Sequence, residues 1–448
     1  MFRTVLVANR GEIARRVFRA CRRLGLRTVA VYSEADRDAP HVADADTAVE
    51  IGPPPARQSY LDVERILAAA RASGADAVHP GYGFLSENWR FAEACGQAGL
   101  TFIGPPAAAI AAMGDKTEAR RLMAGAGVPV LPGSPGAIAD ATIAGSLAAE
   151  IGFPLILKAA GGGGGIGMAK VMKAADLGSA FATATRRAEA AFGNGAVYLE
   201  RYLERPRHVE VQVFGDGAGT VVHLHERECS IQRRHQKIVE EAPAPRLTAA
   251  TKSGLTTAAV RGARAIGYVN AGTMEFLVDA AGHFYFLEMN TRLQVEHPVT
   301  EETTDTDIVV EQLRVAAGEP LAWAQEQIVQ RGAAIECRVY AEDPARGFLP
   351  SPGTITRLVL PQGEGIRVES GVKEGSVVSV HYDPLLFKLV ARGDSREQAI
   401  DRMTGALGAT VVEGVRTTIP FVLTVMAHPD FRSGTVHTQM VEQGAFNG

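Results

Sequence analysis

The sequence predicts a protein of several domains, with an α/β fold at the N-terminus and α+β structure after it. Apolar strand-like runs alternate with helical patterns in the first quarter of the chain, antiparallel hairpin patterns follow, and further strands with one helix lie towards the C-terminus. A chain of 448 residues is too long for one ordinary core. We therefore expect roughly two to four domains.

The N-terminal region is predicted to form repeated strand–helix units. Residues 5–8 have the pattern of a buried strand, residues 13–24 that of a helix with one apolar face, and Gly25 follows as a stop signal. The apolar run at 28–32 completes a β-α-β unit. Further helices are expected at 61–71 and 89–98, with strands at 75–79 and 101–103. These units predict an open parallel sheet with a Rossmann-like layout.

The first loop and the first helix carry two further signals. The loop at residues 9–12 has one glycine where a dinucleotide site needs G-x-G-x-x-G, which argues against a nicotinamide site. The polar face of the first helix carries a row of arginines, namely Arg15, Arg16, Arg19, Arg22 and Arg23. A solvated face is the ordinary interpretation of such a row, and a contact between subunits is the sharper alternative.

The pattern changes after residue 113. A helix is expected at 117–126, followed by short strands joined by glycine-rich turns, and residues 207–290 have mostly the pattern of antiparallel hairpins. An α+β segment begins near Gly332. Its expected elements are strands at 333–340, 355–359, 366–369 and 385–391 and a helix at 396–407.

Composition and charge argue against several classes of partner. A formal net charge of −4 gives no general attraction to nucleic acid or to an anionic membrane. The sequence has neither a secretory h-region nor an apolar run long enough to span a bilayer. Its cysteines lie far apart with no CxxC pair, which argues against a zinc cage or a disulfide framework. They are Cys21, Cys95, Cys229 and Cys337. We expect a cytoplasmic enzyme, with a processed mitochondrial protein left open.

A run of five glycines, Gly161 to Gly165, is the strongest local signal. Such a run is entropically costly to order, so a packed element would not favour it, whereas a loop that brings backbone N–H groups against phosphate oxygens would. The run lies between two strand-like segments, which predicts a flexible hairpin able to close over phosphates. Lys158, at the end of the first strand, is placed to meet phosphate charge. A plain flexible linker is the alternative.

A second signal is a hairpin with two acids. A two-residue turn at residues 281–282 would bring Glu275 opposite Glu288, with Asn290 on the same face. Facing carboxylates in an apolar hairpin repel each other unless a cation lies between them. Three hard oxygen donors suit magnesium carrying nucleotide phosphates. An ordinary hairpin with solvent-facing acids is the alternative.

Two charged segments complete the candidate site. If residues 291–298 are extended, Arg292, Gln294 and Glu296 share one face, where they could hold a small oxyanion and take its proton. Taken alone, this pattern favours a surface salt bridge. The adjoining acidic hairpin, which is predicted to hold a metal, instead favours a site that binds a small oxyanion. Basic and amide side chains also crowd residues 232–237, where a charged surface loop is the alternative.

With these clusters in place, the chain resembles the biotin carboxylases of the ATP-grasp superfamily. The resemblance runs from Val5 to about the C-terminus. It implies a Rossmann-like N-terminal domain (1–114), an ATP-grasp domain (115–317) with a mobile lid at about 131–203, and an α+β C-terminal domain (318–448). The motifs that carry it are ANRGEIA (8–14), HPGYGFLSEN (79–88), MGDK (113–116), RRHQK (233–237), EMNTR (288–292) and QVEHPVTE (294–301).

The resemblance also implies roles for the matching residues. Lys116 and Lys158 would bind the phosphates of ATP, and Gly164 and Gly165 would belong to the lid that closes over them. The hinge that contacts adenine would be formed by Glu200, Arg201, Tyr202 and Leu203. The nucleotide site would also be lined by His208, Gln232 and His235. Magnesium or manganese would be held by Glu275, Glu288 and Asn290. Bicarbonate would be bound by Lys237, Arg292, Gln294 and Val295, with Glu296 as its base and Arg338 facing the biotin ureido oxygen.

The implied reaction forms carboxyphosphate from ATP and bicarbonate and then carboxylates biotin. Since the chain has no Ala-Met-Lys-Met biotinylation motif, we expect a free-standing homodimeric enzyme that serves a biotin carboxyl carrier protein and a carboxyltransferase. The final acceptor stays open among acetyl-CoA, propionyl-CoA, another acyl-CoA, pyruvate and urea. The alternatives are another ATP-grasp carboxylate ligase and a regulatory protein that binds nucleotide without turnover.

Four positions depart from the family pattern. Ile166 stands where many members carry a basic residue, and residues 302–307 are unusually acidic. Arg23 and Glu364 replace an acid and an aromatic that lie near the dimer contact of bacterial relatives. Their charges suggest either a pair across a dimer or a different association.

Overall fold

The computed structural model describes residues 2–138, 140–159 and 168–446. The five-glycine run therefore lies outside the described residues, together with Gly164, Gly165 and Ile166. The expectations for these positions stay predictions. Within the described ranges, no helix is both long and apolar enough to cross a membrane.

The N-terminal elements form the predicted parallel sheet. Its strands run in the order β3-β2-β1-β4-β5, with every neighbouring pair parallel. Alternate residues of β1 enter different cores, Val5 and Val7 on one face and Leu6 on the other, so the sheet is covered on both faces. The elements are β1 Thr4–Val7, α1 Gly11–Arg23, β2 Arg27–Tyr32, α2 Pro40–Asp44, β3 Thr47–Glu50, α3 Val63–Ser73, β4 Ala77–His79, α4 Trp89–Gln97, β5 Thr101–Phe102 and α5 Ala107–Gly114.

The central region holds the predicted hairpins and five helices, α7 to α11, that the sequence pattern did not predict. The expectation of short strands joined by glycine-rich turns is wrong where α7 and α8 lie, and the expectation of hairpins is wrong where α9 lies. The buried faces of these three helices are built mainly from alanine and other small residues. The elements are α6 Lys116–Gly125, α7 Ala141–Ile151, β6 Leu155–Ala159, β7 Ala169–Val171, α8 Leu177–Phe192, β8 Val197–Arg201, β9 Arg207–Gly215, β10 Val221–Arg233, β11 Gln236–Ala242, α9 Ala249–Ala265, β12 Asn270–Val278, β13 Phe284–Asn290, α10 His297–Thr304 and α11 Ile308–Ala316.

The C-terminal elements include the four predicted strands and the predicted helix, although the strand expected at 355–359 starts at Arg357. They also include several short strands and the helices α13 and α14, which the sequence pattern did not predict. The C-terminal elements are β14 Ala333–Tyr340, β15 Glu342–Asp343, β16 Leu349–Pro350, β17 Gly353–Thr354, β18 Arg357–Val359, β19 Ile366–Ser370, β20 Val377–Val378, β21 Leu385–Gly393, α12 Arg396–Ala409, β22 Val411–Glu413, α13 Ile419–Ala427 and α14 Pro429–Ser433.

One eight-stranded sheet joins the central and C-terminal regions, in the order β13-β12-β9-β10-β11-β14-β21-β19. Along β14, Ile335, Cys337 and Val339 face an apolar core shared with α12 and α13. Glu336 and Arg338 alternate with them and therefore lie on the other face, on which α10 packs. This charged, buried face is where the candidate site is built.

The arginines of α1 contact their own chain. Arg16 is buried and lies 2.9 Å from Glu301 and 2.6 Å from Asp307, and Arg19 pairs with Glu369. The solvated-face interpretation is therefore wrong for Arg16. Arg23 also pairs with Asp307, at 2.6 Å. Helix α1 thus contacts residues 301–307 through Arg16 and Arg23, and strand β19 through Arg19.

Three of the departures from the family pattern, Glu364, Arg23 and the acidic segment 302–307, have partners within the chain. Glu364 lies 3.1 Å from Arg402, and Arg23 has its contact with Asp307. Among the acidic residues 302–307, Glu302 and Asp305 lie near Arg367 and Arg392, at 3.2 and 3.0 Å. Pairing between Arg23 and Glu364 across a dimer is therefore not required to balance their charges.

Candidate active site

A cleft of about 820 Å³ lies between the N-terminal loops, the β6–β7 hairpin and the charged face of the large sheet. It is lined by almost all the described residues that the sequence pattern placed in a site. Two exceptions, Glu200 and Glu296, are 4% and 0% exposed and lie behind the lining side chains. They act on the cleft through the cations that contact them.

The acidic hairpin has the predicted pairing, although it is built differently. Glu275 lies opposite Glu288, but Asp279 and His283 close a three-residue turn instead of the expected two-residue turn. A bulge compensates for the difference, because Phe276 pairs with Phe286 and leaves Leu287 as an extra residue on β13. The predicted turn is therefore wrong by one residue, while the predicted facing of the two acids is confirmed.

The two facing carboxylates have opposite electrostatic environments. Burial would raise the pKa of Glu275, but Lys237 and His208 outweigh it and hold that pKa well below its usual range. Burial raises the pKa of Glu288, and the charge of Glu275 raises it further. Among the residues that the structure describes, Glu288 has no cationic side chain within ion-pair distance. A divalent cation would relieve this charge, and the carboxylate and amide donors of Glu288, Glu275 and Asn290 suit Mg²⁺ or Mn²⁺.

Lys237 lies at the centre of the buried charges. Its Nζ is 2.5 Å from Glu210 Oε2, 2.8 Å from Glu275 Oε1 and 2.6 Å from Glu296 Oε1. The surface-loop interpretation of residues 232–237 is therefore wrong for this lysine, and it fits only the exposed tip at Arg234 and His235. One ammonium shared by three acids keeps them close together in a dry site.

Glu296 is held between two cations. Arg338 Nη2 lies 2.9 Å from its Oε2, opposite the Lys237 contact, and Arg338 also donates from Nε to Glu240 Oε1 at 2.6 Å. Burial would raise the pKa of Glu296, but Lys237 and Arg338 outweigh it and hold that pKa well below its usual range. The carboxylate is therefore ionised.

The segment before Glu296 brings its side chains together without being extended. Arg292 donates to Gln294 Oε1 at 3.0 Å and to Asn290 Oδ1 at 2.8 Å, and Gln294 donates to Glu275 Oε1 at 3.1 Å. The segment is a loop that ends in α10 at His297, so the expected extended strand is wrong. The expected grouping of side chains nevertheless occurs, because hydrogen bonds to the acidic hairpin orient the loop.

The side chains that the family resemblance implies for a nucleotide site, Lys116, Lys158, His208, Gln232 and His235, all line the cleft. Gln232 Nε2 lies 3.3 Å from His208 Nδ1, and burial lowers the pKa of His235. Arg201, Tyr202 and Leu203, which the resemblance implies for an adenine hinge, also line the cleft.

Glu200 differs from Arg201, Tyr202 and Leu203, because its side chain does not line the cleft. It is buried against two cations, Lys158 and Arg120. Its side chain therefore orients Lys158 instead of facing the cleft. This contact was not anticipated, because Arg120 lies eighty positions earlier in the chain.

Several neighbours of the site were missed by sequence reasoning. Glu87 lies 2.9 Å from Arg292, and Gln439 Nε2 donates to Tyr202 Oη at 2.6 Å. Glu87 belongs to the 79–88 motif, which could have singled it out. Glu210 sits in a strand whose sequence pattern carries no functional signal, and only the sheet brings it to Lys237. Glu240 follows the charged segment 232–237, but sequence reasoning assigned it no role, and only the sheet brings it to Arg338.

Three family models match the chain in succession. They are "Biotin carboxylase, N-terminal domain" at residues 1–110, "Carbamoyl-phosphate synthase L chain, ATP binding domain" at 115–324 and "Biotin carboxylase C-terminal domain" at 336–443. Together they match most of the chain.

Known proteins resemble the chain over nearly its whole length. A biotin carboxylase of Halalkalibacterium halodurans is 53% identical over 441 residues, covering 98% of this chain and 97% of the relative. A pyruvate carboxylase subunit of Methanothermobacter thermautotrophicus is 52% identical over 443 residues, covering 99% and 90%. The biotin carboxylase domain of Hydrogenobacter thermophilus 2-oxoglutarate carboxylase, solved with MgADP, ADP and bicarbonate, superposes with a TM-score of 0.94 at 48% identity, covering 99% and 98%.

Proposed function

Since the chain belongs to the biotin carboxylase family of ATP-dependent enzymes, we propose that its cleft activates bicarbonate with ATP and transfers the carboxyl group to biotin on a separate carrier protein. The observation that carries the proposal is the buried position of Glu296 between Lys237 and Arg338. One carboxylate thereby adjoins the acidic hairpin on one side and the biotin-facing arginine on the other.

The acidic hairpin is proposed to hold Mg²⁺ or Mn²⁺ through Glu275, Glu288 and Asn290. With ATP bound, the ion would neutralise phosphate charge as the γ-phosphoryl group is transferred. The raised pKa of Glu288, which arises from burial and from the charge of Glu275, supports this proposal.

The nucleotide is proposed to lie with its phosphates against Lys116 and Lys158. Glu200 supports this role by holding Lys158, and His208, Gln232 and His235 line the same wall. Arg201, Tyr202 and Leu203 would contact the adenine, and Gly164 and Gly165 would close over the phosphates. The family resemblance supports the roles of the two glycines, which lie outside the described residues.

Bicarbonate is proposed to bind to Arg292, Gln294, Val295 and Lys237, with Glu296 as its base. While Lys237 and Arg338 contact Glu296, its pKa is held too low for an effective base. An anion that engages either cation would weaken these contacts and raise that pKa towards its usual value. Binding of the substrate would thus switch on its own base.

The proposed chemistry then runs in two stages. Glu296 takes the bicarbonate proton while the oxyanion attacks the γ-phosphorus, and ADP leaves to give carboxyphosphate. Carboxyphosphate breaks into carbon dioxide and phosphate, the phosphate takes the proton of the ureido nitrogen, and that nitrogen attacks carbon dioxide. Arg338, which lines the cleft, would stabilise the enolate-like ureido oxygen.

The partners are proposed to be a biotin carboxyl carrier protein, a carboxyltransferase and a second copy of the chain. An acyl-CoA carboxylase such as acetyl-CoA carboxylase is the proposed setting, in the cytoplasm. The relatives also include part of a pyruvate carboxylase, so pyruvate is the competing acceptor. The domain boundaries at residues 114 and 317 remain part of the proposal.

The decisive experiment measures ATP hydrolysis with bicarbonate, with bicarbonate and free biotin, and with neither. We expect hydrolysis to require bicarbonate and to increase with biotin. A different ATP-grasp ligase would show no stimulation by biotin, and a regulatory protein would show no turnover. Either result would refute the proposal.

A further inference from the structure

Lys388 is a buried cation that the proposed reaction does not use. It lies on β21 on the charged face of the large sheet and is 0% exposed, while its neighbours Phe387 and Leu389 enter the apolar core on the opposite face. An ammonium group in such a place is costly to desolvate unless specific contacts compensate. Its contacts therefore indicate what it does.

The ammonium of Lys388 joins the loop that contains Val295 to the first turn of helix α1, which contains Glu12. It donates to the backbone oxygen of Val295 at 2.5 Å and lies 3.2 Å from Glu12 Oε1. The same oxygen of Glu12 accepts a hydrogen bond from the hydroxyl of Tyr82, which lines the cleft. Burial would lower the pKa of Lys388, but the carboxylates of Glu12 and Glu369 oppose it and the pKa is raised, so the side chain stays charged.

The contact with Val295 controls one peptide group in the segment proposed to bind bicarbonate. Because the peptide group is planar and trans, fixing the Val295 carbonyl also fixes the N–H of Glu296 and the direction in which that residue begins. The preceding carbonyl, of Gln294, is held by the ring of His297 at 2.8 Å. Lys388 and His297 thus fix two successive peptide groups through their carbonyl oxygens. The side chains of Gln294 and Glu296 meanwhile make their own contacts in the site.

We propose that Lys388 is a positioning residue that holds the 294–296 segment in its bicarbonate-binding conformation and links it, through Glu12, to the loop that carries Tyr82. This inference rests on the proposed function, because it assigns a role within the same site. Lys388 is not among the described residues that line the cleft. It acts through the backbone of Val295.

The test compares Lys388→Met, which removes the donor, with Lys388→Gln, which keeps a neutral N–H donor. We expect K388M to raise the KM for bicarbonate at least tenfold and to keep the Kd of a non-hydrolysable ATP analogue within twofold. K388Q should show a smaller rise in the same KM. Because K388Q keeps a polar group in the buried site, it also carries the test if K388M fails to fold.

Arg16→Met is the matched control, since Arg16 is another buried cation of the same charged region that contacts Glu301 and Asp307 but not residues 294–296. It should leave the KM for bicarbonate within twofold. A folded Lys388 variant with the wild-type KM for bicarbonate, or with an equal loss of nucleotide affinity, would overturn the inference. Absence of bicarbonate-dependent hydrolysis in the wild-type protein would instead refute the proposed function itself.

Discussion

Lys237 and Glu296 form a buried ion pair, with 2.6 Å between Nζ and Oε1, although they lie fifty-nine positions apart in the chain. Lys237 is held at the same time by Glu210 and Glu275, so the loss of Glu296 would still leave it two acidic partners. Glu296 can therefore be replaced without leaving Lys237 as a buried cation that has no acidic partner.

Replacing Glu296 by glutamine should abolish bicarbonate-dependent ATP cleavage, because the amide cannot accept the proton. We expect a decrease in kcat of roughly 10²–10⁴-fold. Nucleotide binding, measured by calorimetry with a non-hydrolysable analogue, should survive. Glu301→Gln is the control, since Glu301 is equally buried but pairs with Arg16 and Arg367 instead of the site. Near-wild-type turnover of E296Q would contradict the assignment of the base.

Replacing Arg338 by lysine should uncouple ATP cleavage from biotin carboxylation. A lysine keeps the positive charge beside Glu296, but it lacks the planar fork that contacts Glu240 and Glu296 together. We expect carboxybiotin formation to fall by about 100-fold, which is typical for the loss of one oxyanion donor. The measurement is the ratio of carboxybiotin to ADP produced. An unchanged ratio would show that Arg338 does not face the ureido oxygen.

Replacing Glu336 by glutamine should improve stability increasingly as the pH rises. Burial raises the pKa of Glu336 well above its usual value, and the facing Glu240 raises it further, against the opposing effect of Lys388. Above pH 4.5, the unfolded chain releases this proton while the folded protein keeps it, so the wild-type protein loses stability with rising pH. Each pH unit in that window corresponds to about 1.4 kcal/mol.

The measurement for this prediction is the free energy of unfolding in urea at several pH values above 5, with Glu369→Gln as the control. Burial would raise the pKa of Glu369, but Arg367 and Arg19 outweigh it and lower it to about 2. Its stabilising effect is present above the ordinary glutamate pKa and is lost only in acid, so E369Q should be destabilised equally at every pH tested. A constant difference for E336Q would contradict the raised pKa.

Replacing Arg16 by methionine should destabilise the protein far more than replacing Arg23 by alanine. The Arg16 side chain is 5% exposed and its loss leaves Glu301 and Asp307 without a shared cation, whereas the Arg23 side chain is 69% exposed. We expect a loss of about 3–5 kcal/mol for R16M. The ion pair between the exposed Arg23 and Asp307 should contribute about 0–1 kcal/mol to the free energy of unfolding. Urea unfolding of both variants checks the order, and equal losses would contradict it.

Much of the site was predictable because its chemistry is local in the sequence. Alternation along two short strands was enough to place Glu275 opposite Glu288. The predicted turn was one residue too short, but the bulge at Leu287 offsets that difference, so the predicted pairing is correct. The strand–helix units of the N-terminal region were predictable for the same reason. Helices α7, α8 and α9 were missed because small residues give a weak periodic signal.

The sequence by itself determined which residue types carry the chemistry and, where a short hairpin or motif holds them, which ones face each other. Only the tertiary structure decided which charges pair over long distances: Glu296 with Arg338, Lys158 with Glu200, Arg16 with Glu301, and Lys388 with the Val295 carbonyl. The physical reason is that a sequence pattern specifies the period of a strand or a helix. The assembly of the sheet then brings separate strands together and removes water from the charges between them.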